Sequence, residues 1–117
     1  MTELSKLAIT TVDQQVSVSG QITPDDVAVL VEQGVEVLVC NRPDNESSDQ
    51  PSYSIIAAAA AKHGVHMVNI PFAGGQMQAE HTQAFADIVA SGKRIHAYCR
   101  TGNRSSTLYT AVNSIKK

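Results

Sequence analysis

The chain has 117 residues, 43% of them hydrophobic, which is enough to bury one core and predicts a single domain over 1–117. Its formal net charge of −2 and its aromatic content of 4% argue against a nucleic-acid-binding surface. No segment approaches the roughly 20 apolar residues that span a bilayer, and the amino-terminal segment lacks the pattern of a secretion signal. We therefore expect a cytoplasmic protein without a membrane partner.

Apolar runs alternate with helical patterns along the chain, which predicts an α/β fold with a mostly parallel sheet of four to five strands flanked by helices. The first strands are expected at 7–9 and 16–19. Thr23, Pro24 and the two aspartates after them then predict the start of a helix that ends at Gly34. Further along, strands are predicted at 35–40, 65–70 and 94–98, and helices at 53–62, 78–90 and 105–115.

Three loops follow the predicted parallel strands at their carboxyl ends. Ligands of such sheets bind beyond that edge. We therefore expect an active site built from residues 41–46, 71–76 and 99–105, with Arg42 and Asp44 as candidates for substrate contact. The first loop belongs to a polar segment whose length is typical of functional loops.

The third loop carries the clearest chemical signal. Cys99 ends an apolar strand shortly before a predicted helix, so unpaired helix amides and the helix dipole favour the thiolate form of the cysteine. Arg104 adds a full positive charge, and a glycine allows the loop to curl around an anion. Cys99 and Arg104 are the predicted catalytic residues, and the other predicted anion contacts in the loop are Arg100, Thr101, Gly102, Asn103 and Ser105.

The segment from Cys99 to Ser106 resembles the cysteine loops of two families, the rhodanese sulfurtransferases and the dual-specificity type of tyrosine phosphatases. Further motifs make nearly the whole chain similar to the phosphatase-like domain of beta-lactamase hydrolase-like proteins: Gly20-Gln21-Ile22, Thr23-Pro24-Asp25-Asp26, Gly34-Val35, Asn41-Arg42-Pro43-Asp44 and Ile70-Pro71. The resemblance implies the fold of a tyrosine phosphatase. Some relatives are described as sulfurtransferases. In the larger relatives a metal-dependent hydrolase domain follows the phosphatase-like domain. The resemblance therefore implies a separate metal-dependent, sulfur-oxidising hydrolase as a partner of this chain.

Two departures from the phosphatase pattern favour sulfur transfer over phosphate hydrolysis. Tyrosine phosphatases have five residues between the cysteine and the arginine, whereas Cys99 and Arg104 are separated by four, and a smaller ring suits the single outer sulfur of a persulfide. Phosphatases of the dual-specificity type also place an acid after the Ile-Pro pair, where this chain has Phe72-Ala73-Gly74-Gly75. The residues that could replace this acid are Asp44, Glu46, Glu80 and His81.

The sequence therefore predicts a rhodanese-like sulfurtransferase that carries a sulfane sulfur as a Cys99 persulfide, acts on a small anionic substrate and needs no cofactor. The alternative is a phosphatase that hydrolyses phosphate monoesters through a phosphocysteine. Two further hypotheses stay open: a binding module with an inactive loop, and a redox sensor in which Cys99 pairs with Cys40. Cys40 itself is expected in the core, and the four histidines are too scattered to predict a metal site.

Overall fold

A five-stranded sheet lies at the centre of the fold in the computed structural model, which describes residues 7–115. The strands in chain order are β1 (Thr10–Thr11), β2 (Val16–Ser19), β3 (Val37–Cys40), β4 (His66–Asn69) and β5 (Ile95–Tyr98), and the helices are α1 (Pro24–Glu32), α2 (Tyr53–Lys62), α3 (Ala79–Ala90) and α4 (Asn103–Ile115). The sheet has the order β1-β2-β5-β3-β4, with β1 antiparallel to β2 and all other neighbours parallel. The predicted α/β class with a mostly parallel sheet is confirmed.

Helices cover both faces of the sheet. One face packs against α3 and α4 through a core that includes Phe85 and Leu108. The other face packs against α1 and α2 through a core that includes Leu30 and Ile56. Side chains of β3 alternate between the two cores, as the pleat of a strand requires. Because both faces are covered, β3 is a continuous apolar run and is buried throughout, and β5 is buried as well although it contains His96.

The first strand lies at Thr10–Thr11 and not at 7–9, where the sequence predicted it. The Asp13 carboxylate accepts hydrogen bonds from the amides two and three residues later, both at 2.7 Å, and this tight turn sets the pairing of β1 with β2. Leu7 and Ile9 pack as half-buried side chains against the α1/α2 core. Their apolar character therefore reflects packing and not strand pairing.

The helix starts decide how the carboxyl edge of the sheet is built. α1 begins after Thr23, as predicted, and a capping box closes its start. In this box the Asp26 amide donates to the Thr23 hydroxyl at 3.4 Å, and the Thr23 amide donates to the Asp26 carboxylate at 2.8 Å. α4 begins at Asn103, two residues before the predicted start, so the amides of its first turn lie next to Cys99. Within residues 7–115, no helix has the length and apolar character needed to cross a bilayer.

Candidate active site

Cys99 lies in the loop between β5 and α4, at the carboxyl edge of the sheet. The amide of Gly102 donates a hydrogen bond to its sulfur at 3.0 Å. Burial opposes ionisation of the thiol, but hydrogen bonds from the amides of Ser105, Thr101, Gly102 and Arg104 outweigh it and hold the pKa of Cys99 below its ordinary value. Two of these amides belong to the first turn of α4, where they have no partner within the helix. The loop thus gives Cys99 the surroundings of a nucleophilic thiolate.

Two glycines allow this loop to lie directly against the end of β2. Gly102 has a φ of +97°, which strains any residue with a Cβ, and a Cβ there would lie 3.3 Å from the backbone of Ser19. A Cβ on Gly20 would lie 2.8 Å from the carbonyl oxygen of Arg100. The Cys99 amide also donates to the Ser19 carbonyl at 3.3 Å. The neighbouring strand therefore holds the loop in one conformation.

A buried histidine supports the same contact between β2 and β5. Nδ1 of His96 lies 2.7 Å from the Ser17 hydroxyl, and Nε2 lies 2.8 Å from the Ser19 hydroxyl. Because Ser19 donates its own proton to the Gly20 carbonyl at 2.8 Å, its oxygen accepts from Nε2–H, and Ser17 donates to Nδ1. Burial lowers the pKa of His96 to about 4, so the ring is neutral at pH 7 and acts as a structural support.

Arg104 extends from the first turn of α4 over the loop. Its Nη1 and Nη2 donate to the two carboxylate oxygens of Glu46 at 2.7 and 2.8 Å, and Nη1 also donates to the Phe72 carbonyl at 3.0 Å. A guanidinium has five N–H groups, so these three bonds leave one donor on Nε and one on Nη2. Arg104 also interacts with the Cys99 side chain. Its remaining edge is therefore suited to a bidentate hold on an anion bound at the cysteine.

Glu46 connects two arginines. Besides binding Arg104, it accepts a hydrogen bond from Nε of the buried Arg42 at 3.2 Å, and Arg42 in turn donates to the Gln21 side chain at 3.0 Å. The hydrogen bond from Arg104 is the largest effect on the pKa of Glu46, and it lowers that pKa. Burial has a smaller, opposite effect, and the hydrogen bond from Arg42 lowers the pKa further. Glu46 is thus an ionised carboxylate that fixes the orientation of Arg104.

The three loops of the carboxyl edge are tied together by one buried amide. The Ser105 hydroxyl donates to Oδ1 of Asn41 at 2.7 Å, and Nδ2 of Asn41 donates to the Ile70 carbonyl at 2.9 Å. Asn41 follows β3, Ile70 follows β4 and Ser105 lies in α4, so these bonds join the loops that the sequence placed together. Asn41 is fully buried, which makes each of its bonds costly to lose.

Two adjoining clefts open at this edge, and Gly74 and Arg104 line both. The polar cleft, with a volume of about 550 Å³, is lined by Glu46, Ser47, Gly74, Arg100 and Arg104. The apolar cleft, with a volume of about 430 Å³, is lined by Phe72, Gly74, Gly75, Met77, Asn103, Arg104 and Thr107. Cys99 itself is buried and lines neither cleft, but Arg104, which interacts with its side chain, lines both.

Most of the predicted contact residues come together in the structure. The residues that line a cleft or direct an amide at Cys99 are Arg100, Thr101, Gly102, Asn103, Arg104 and Ser105. Arg42 reaches the site indirectly, through Glu46 and Gln21. Asp44 lies apart from them, because its carboxylate accepts a hydrogen bond from the Tyr53 amide at 2.7 Å, at the start of α2.

Sequence reasoning missed the residues that position the site. It considered Glu46 as an acid and not as the partner of two arginines. It placed Asn41 in the 41–46 loop without a specific contact, and it expected only a structural or surface role for His96, without its partner Ser19. The available signal was a polar side chain in or directly after an otherwise apolar strand, since such a group is buried only with hydrogen-bond partners.

Cys40 lies in the α1/α2 core, as expected, and its thiol donates to the Arg42 carbonyl at 3.3 Å. Burial raises its pKa, so it lacks the activation that Cys99 receives. In the part of the chain that the structure describes, no three His, Cys, Asp or Glu side chains lie together so that they could hold a metal ion.

The fold and the cysteine loop define the class of protein to which this chain is similar: α/β proteins of the tyrosine-phosphatase-like fold, with a cysteine and an arginine on a loop that opens into a helix. The family model for the phosphatase-like domain of beta-lactamase hydrolase-like proteins matches residues 8–115. This chain belongs to that family.

Individual relatives agree with this assignment. A beta-lactamase hydrolase-like protein from Xylella fastidiosa is 26% identical over 104 residues, which cover 88% of this chain and 24% of that protein. The chain thus spans about a quarter of the length of this curated relative. A solved structure of a candidate phosphatase from Neisseria meningitidis is 30% identical, with a TM-score of 0.81 over 89% of this chain and 75% of that one. A second candidate phosphatase, from Shewanella putrefaciens, is 22% identical, with a TM-score of 0.78 over 90% of this chain and 66% of that one.

The sequence-based expectation of a rhodanese-like sulfurtransferase is wrong. The two solved structures named above are described as candidate phosphatases, and one of them is 30% identical to this chain. The argument from loop length failed for a physical reason. Although only four residues separate Cys99 from Arg104, the early start of α4 adds its first-turn amides to those of the loop, so four amides surround the sulfur. Together with two N–H groups of Arg104, these are donors enough for an anion with several oxygens.

Proposed function

We propose that the chain is a single catalytic domain, over 1–117, that hydrolyses phosphate monoesters through a phosphocysteine intermediate. The observation that carries this proposal is the arrangement at Cys99: a thiol whose pKa is lowered by surrounding backbone amides, beside an arginine with two N–H groups that Glu46 and Phe72 do not use. Such an arrangement stabilises both the nucleophile and the charge of a transferring phosphoryl group. The similarity to phosphatases of the same fold supports it.

The reaction then has two steps. The Cys99 thiolate attacks phosphorus, forming an S–P bond while the P–O bond to the leaving group breaks and its oxygen takes the electron pair. A water molecule next attacks the phosphocysteine, the S–P bond breaks, and the electron pair returns to sulfur as inorganic phosphate leaves. In both steps the amides at residues 101, 102, 104 and 105 and the free edge of Arg104 hold the phosphoryl oxygens.

The surrounding residues position these groups. Glu46 and Arg42 orient Arg104, and Asn41 holds Ser105 and thereby the first turn of α4. Thr101, Gly102 and Asn103 complete the loop around the phosphoryl group, and Arg100 lines the polar cleft beside it. Asp44 contributes by fixing the start of α2 beside the 41–46 loop.

The test is hydrolysis of para-nitrophenyl phosphate by the purified chain. Cys99→Ser should abolish turnover. Cys40→Ser, which removes a thiol buried in the α1/α2 core, should retain turnover. Arg104→Lys keeps the charge but loses the bidentate geometry, so it should lower kcat/KM by about 100-fold or more. Turnover that survives Cys99→Ser would refute the proposal.

We place this activity in the cytoplasm, where thiols such as Cys99 are kept reduced. A separate metal-dependent hydrolase is the protein partner that the family resemblance implies. Affinity purification of the tagged chain from its native host tests this association, and repeated absence of such an enzyme from the captured proteins would count against it.

A further inference from the structure

The leaving group of a phosphate ester needs a proton unless it is a stable anion, and the donor must reach the oxygen that departs. The residues around the clefts therefore show which leaving groups this site can handle. Among the described residues that line either cleft, Glu46 is the only one with a carboxyl group.

Glu46 is already engaged. Its Oε2 accepts from Arg104 at 2.7 Å, and its Oε1 accepts from both Arg104 at 2.8 Å and Arg42 at 3.2 Å. Two guanidinium groups on one carboxylate keep it ionised, so it has no proton to give at neutral pH. Releasing it as an acid would also free Arg104, which the same step needs in a fixed orientation.

The other acids that the sequence offered lie elsewhere. Asp44 accepts from the Tyr53 amide. Glu80 is 81% exposed on α3, and His81 stacks on Phe72 with its Nδ1 accepting a hydrogen bond from the Gln78 amide at 2.8 Å. None of these three acids lines a cleft.

Arg100 supplies a different kind of help. Its side chain is exposed on the polar cleft, next to Ser47 and Arg104, and it forms no ion pair with any residue in the range 7–115. A guanidinium in this place has its donors available for an anion that extends beyond the phosphoryl group at Cys99.

We propose that the site acts on phosphate compounds whose leaving group departs as a stable anion, with phosphoanhydrides held at their departing phosphate by Arg100, and that it discriminates against alkyl phosphates such as phosphoserine. The inference rests on the proposed phosphatase function. In its first step the Cys99 sulfur bonds to the terminal phosphorus, the P–O–P bridge breaks on that side, and the bridging oxygen leaves with the electron pair as part of a phosphate anion. No proton is transferred in that step.

The first experiment measures kcat/KM for phenyl phosphates whose phenols differ in acidity, together with phosphoserine, using Cys99→Ser as the blank. Because kcat/KM reports the steps up to cleavage of the P–O bond, it should fall steadily as the phenol becomes less acidic. Phosphoserine should lie about 100-fold or more below para-nitrophenyl phosphate, since a general acid contributes about 10²–10⁴-fold. Equal values across the series would reveal an acid at work and overturn the proposal.

The second experiment compares tripolyphosphate with para-nitrophenyl phosphate. Arg100→Gln should lower kcat/KM for tripolyphosphate about tenfold more than for the aryl phosphate, because the arginine contacts only a departing group that is itself charged. Arg94→Gln, at the opposite edge of the sheet, is the matched control and should not change this ratio. An equal loss on both substrates would overturn the role of Arg100. Absence of Cys99-dependent turnover with every phosphate compound would instead refute the proposed function.

Discussion

Cys99 owes its lowered pKa to the backbone rather than to a neighbouring side-chain base. Amides of the loop and of the first turn of α4 converge on its sulfur and outweigh the cost of burial, so its pKa lies below the ordinary value. A small change in backbone conformation would remove several of these donors at once. For this reason the loop needs a glycine at position 102, where the φ of +97° strains any residue that has a Cβ.

Cys99 should therefore react with iodoacetamide at a lower pH than an ordinary thiol. In a Cys40→Ser background, the alkylation rate should reach half its maximum below the ordinary thiol pKa of about 8.5. Mass spectrometry measures the rate at each pH. In the reciprocal Cys99→Ser variant, burial raises the pKa of Cys40, so its alkylation should need a more alkaline solution. A Cys99 midpoint at or above the ordinary value would contradict the account of the loop.

Glu46 should contribute to activity by holding Arg104 and not by donating a proton. Glu46→Gln keeps the shape of the side chain but weakens the bidentate pair, so kcat/KM for para-nitrophenyl phosphate should fall by about 10- to 100-fold. Inhibition by inorganic phosphate should weaken in parallel, while the melting temperature stays nearly the same. Asp49→Asn, which removes an exposed charge from the same loop, is the control. A kcat/KM for Glu46→Gln that equals that of the control would exclude the positioning role.

At the scale of elements, the site depends on where strands end and helices begin. β3, β4 and β5 are parallel neighbours, so the loops after them meet at one edge, and β2 supplies the surface on which the cysteine loop lies. α1 starts close to that surface and is fixed by its capping box. Helix starts thus contribute both stability and the amides that the chemistry uses.

The capping box gives a prediction for stability. Thr23→Ala removes the hydroxyl that accepts from the Asp26 amide, and it should lower the free energy of unfolding by about 1 kcal/mol. Urea denaturation measures the change. Thr110→Ala, at an exposed position inside α4, should leave stability unchanged or raise it slightly, because alanine favours helix. Equal losses for both variants would mean that the cap carries no special weight.

Much of this arrangement could be predicted from the sequence. The alternation of elements, the three loops at one edge and the loop from Cys99 to Ser105 all follow from local patterns, because strands, caps and glycine turns are encoded by neighbouring residues. The ion pair of Glu46 with Arg104 could not be predicted, since it joins a loop residue to the first turn of α4, 58 positions away, and depends on side-chain direction. The chemistry was misjudged for a related reason: the number of amides around Cys99 depends on the first residue of α4, which local patterns place only within a few residues.

At the scale of the whole molecule, the sheet lies between two cores, and most of the buried polar groups within residues 7–115 support the site, whereas Asp26 and Thr82 belong to the first turns of α1 and α3. His96 is the clearest example. It lies on β5, the strand before the cysteine loop, and its ring forms hydrogen bonds with Ser17 and Ser19 of the neighbouring strand β2. Burial keeps the His96 ring neutral at pH 7, so protonation of this one group would affect both the stability of the fold and the geometry of the active site.

Stability should consequently fall in mild acid. The unfolded chain protonates His96 near pH 6.5, whereas the folded protein requires a pH of about 4. Between these values the unfolded state binds more protons, so the contribution is complete above pH 6.5 and is lost as the pH falls towards 4, by on the order of 3 kcal/mol. Urea denaturation across this range measures the loss, and the proton resonances of the His96 ring should stay constant between pH 7 and 5. A His96 titration near pH 6.5 would contradict the assignment.

The central claim is that Cys99 carries a phosphoryl group during turnover, and rapid acid quenching of the reaction with para-nitrophenyl phosphate tests it most directly. Peptide mass spectrometry should then find one phosphoryl group on Cys99 and none on Cys40. In the Arg104→Lys variant, it should find at most a trace of phosphorylated Cys99 and no phosphorylated Cys40. Phosphate release without any phosphoryl group on Cys99, in a sample quenched before the first turnover is complete, would contradict the account.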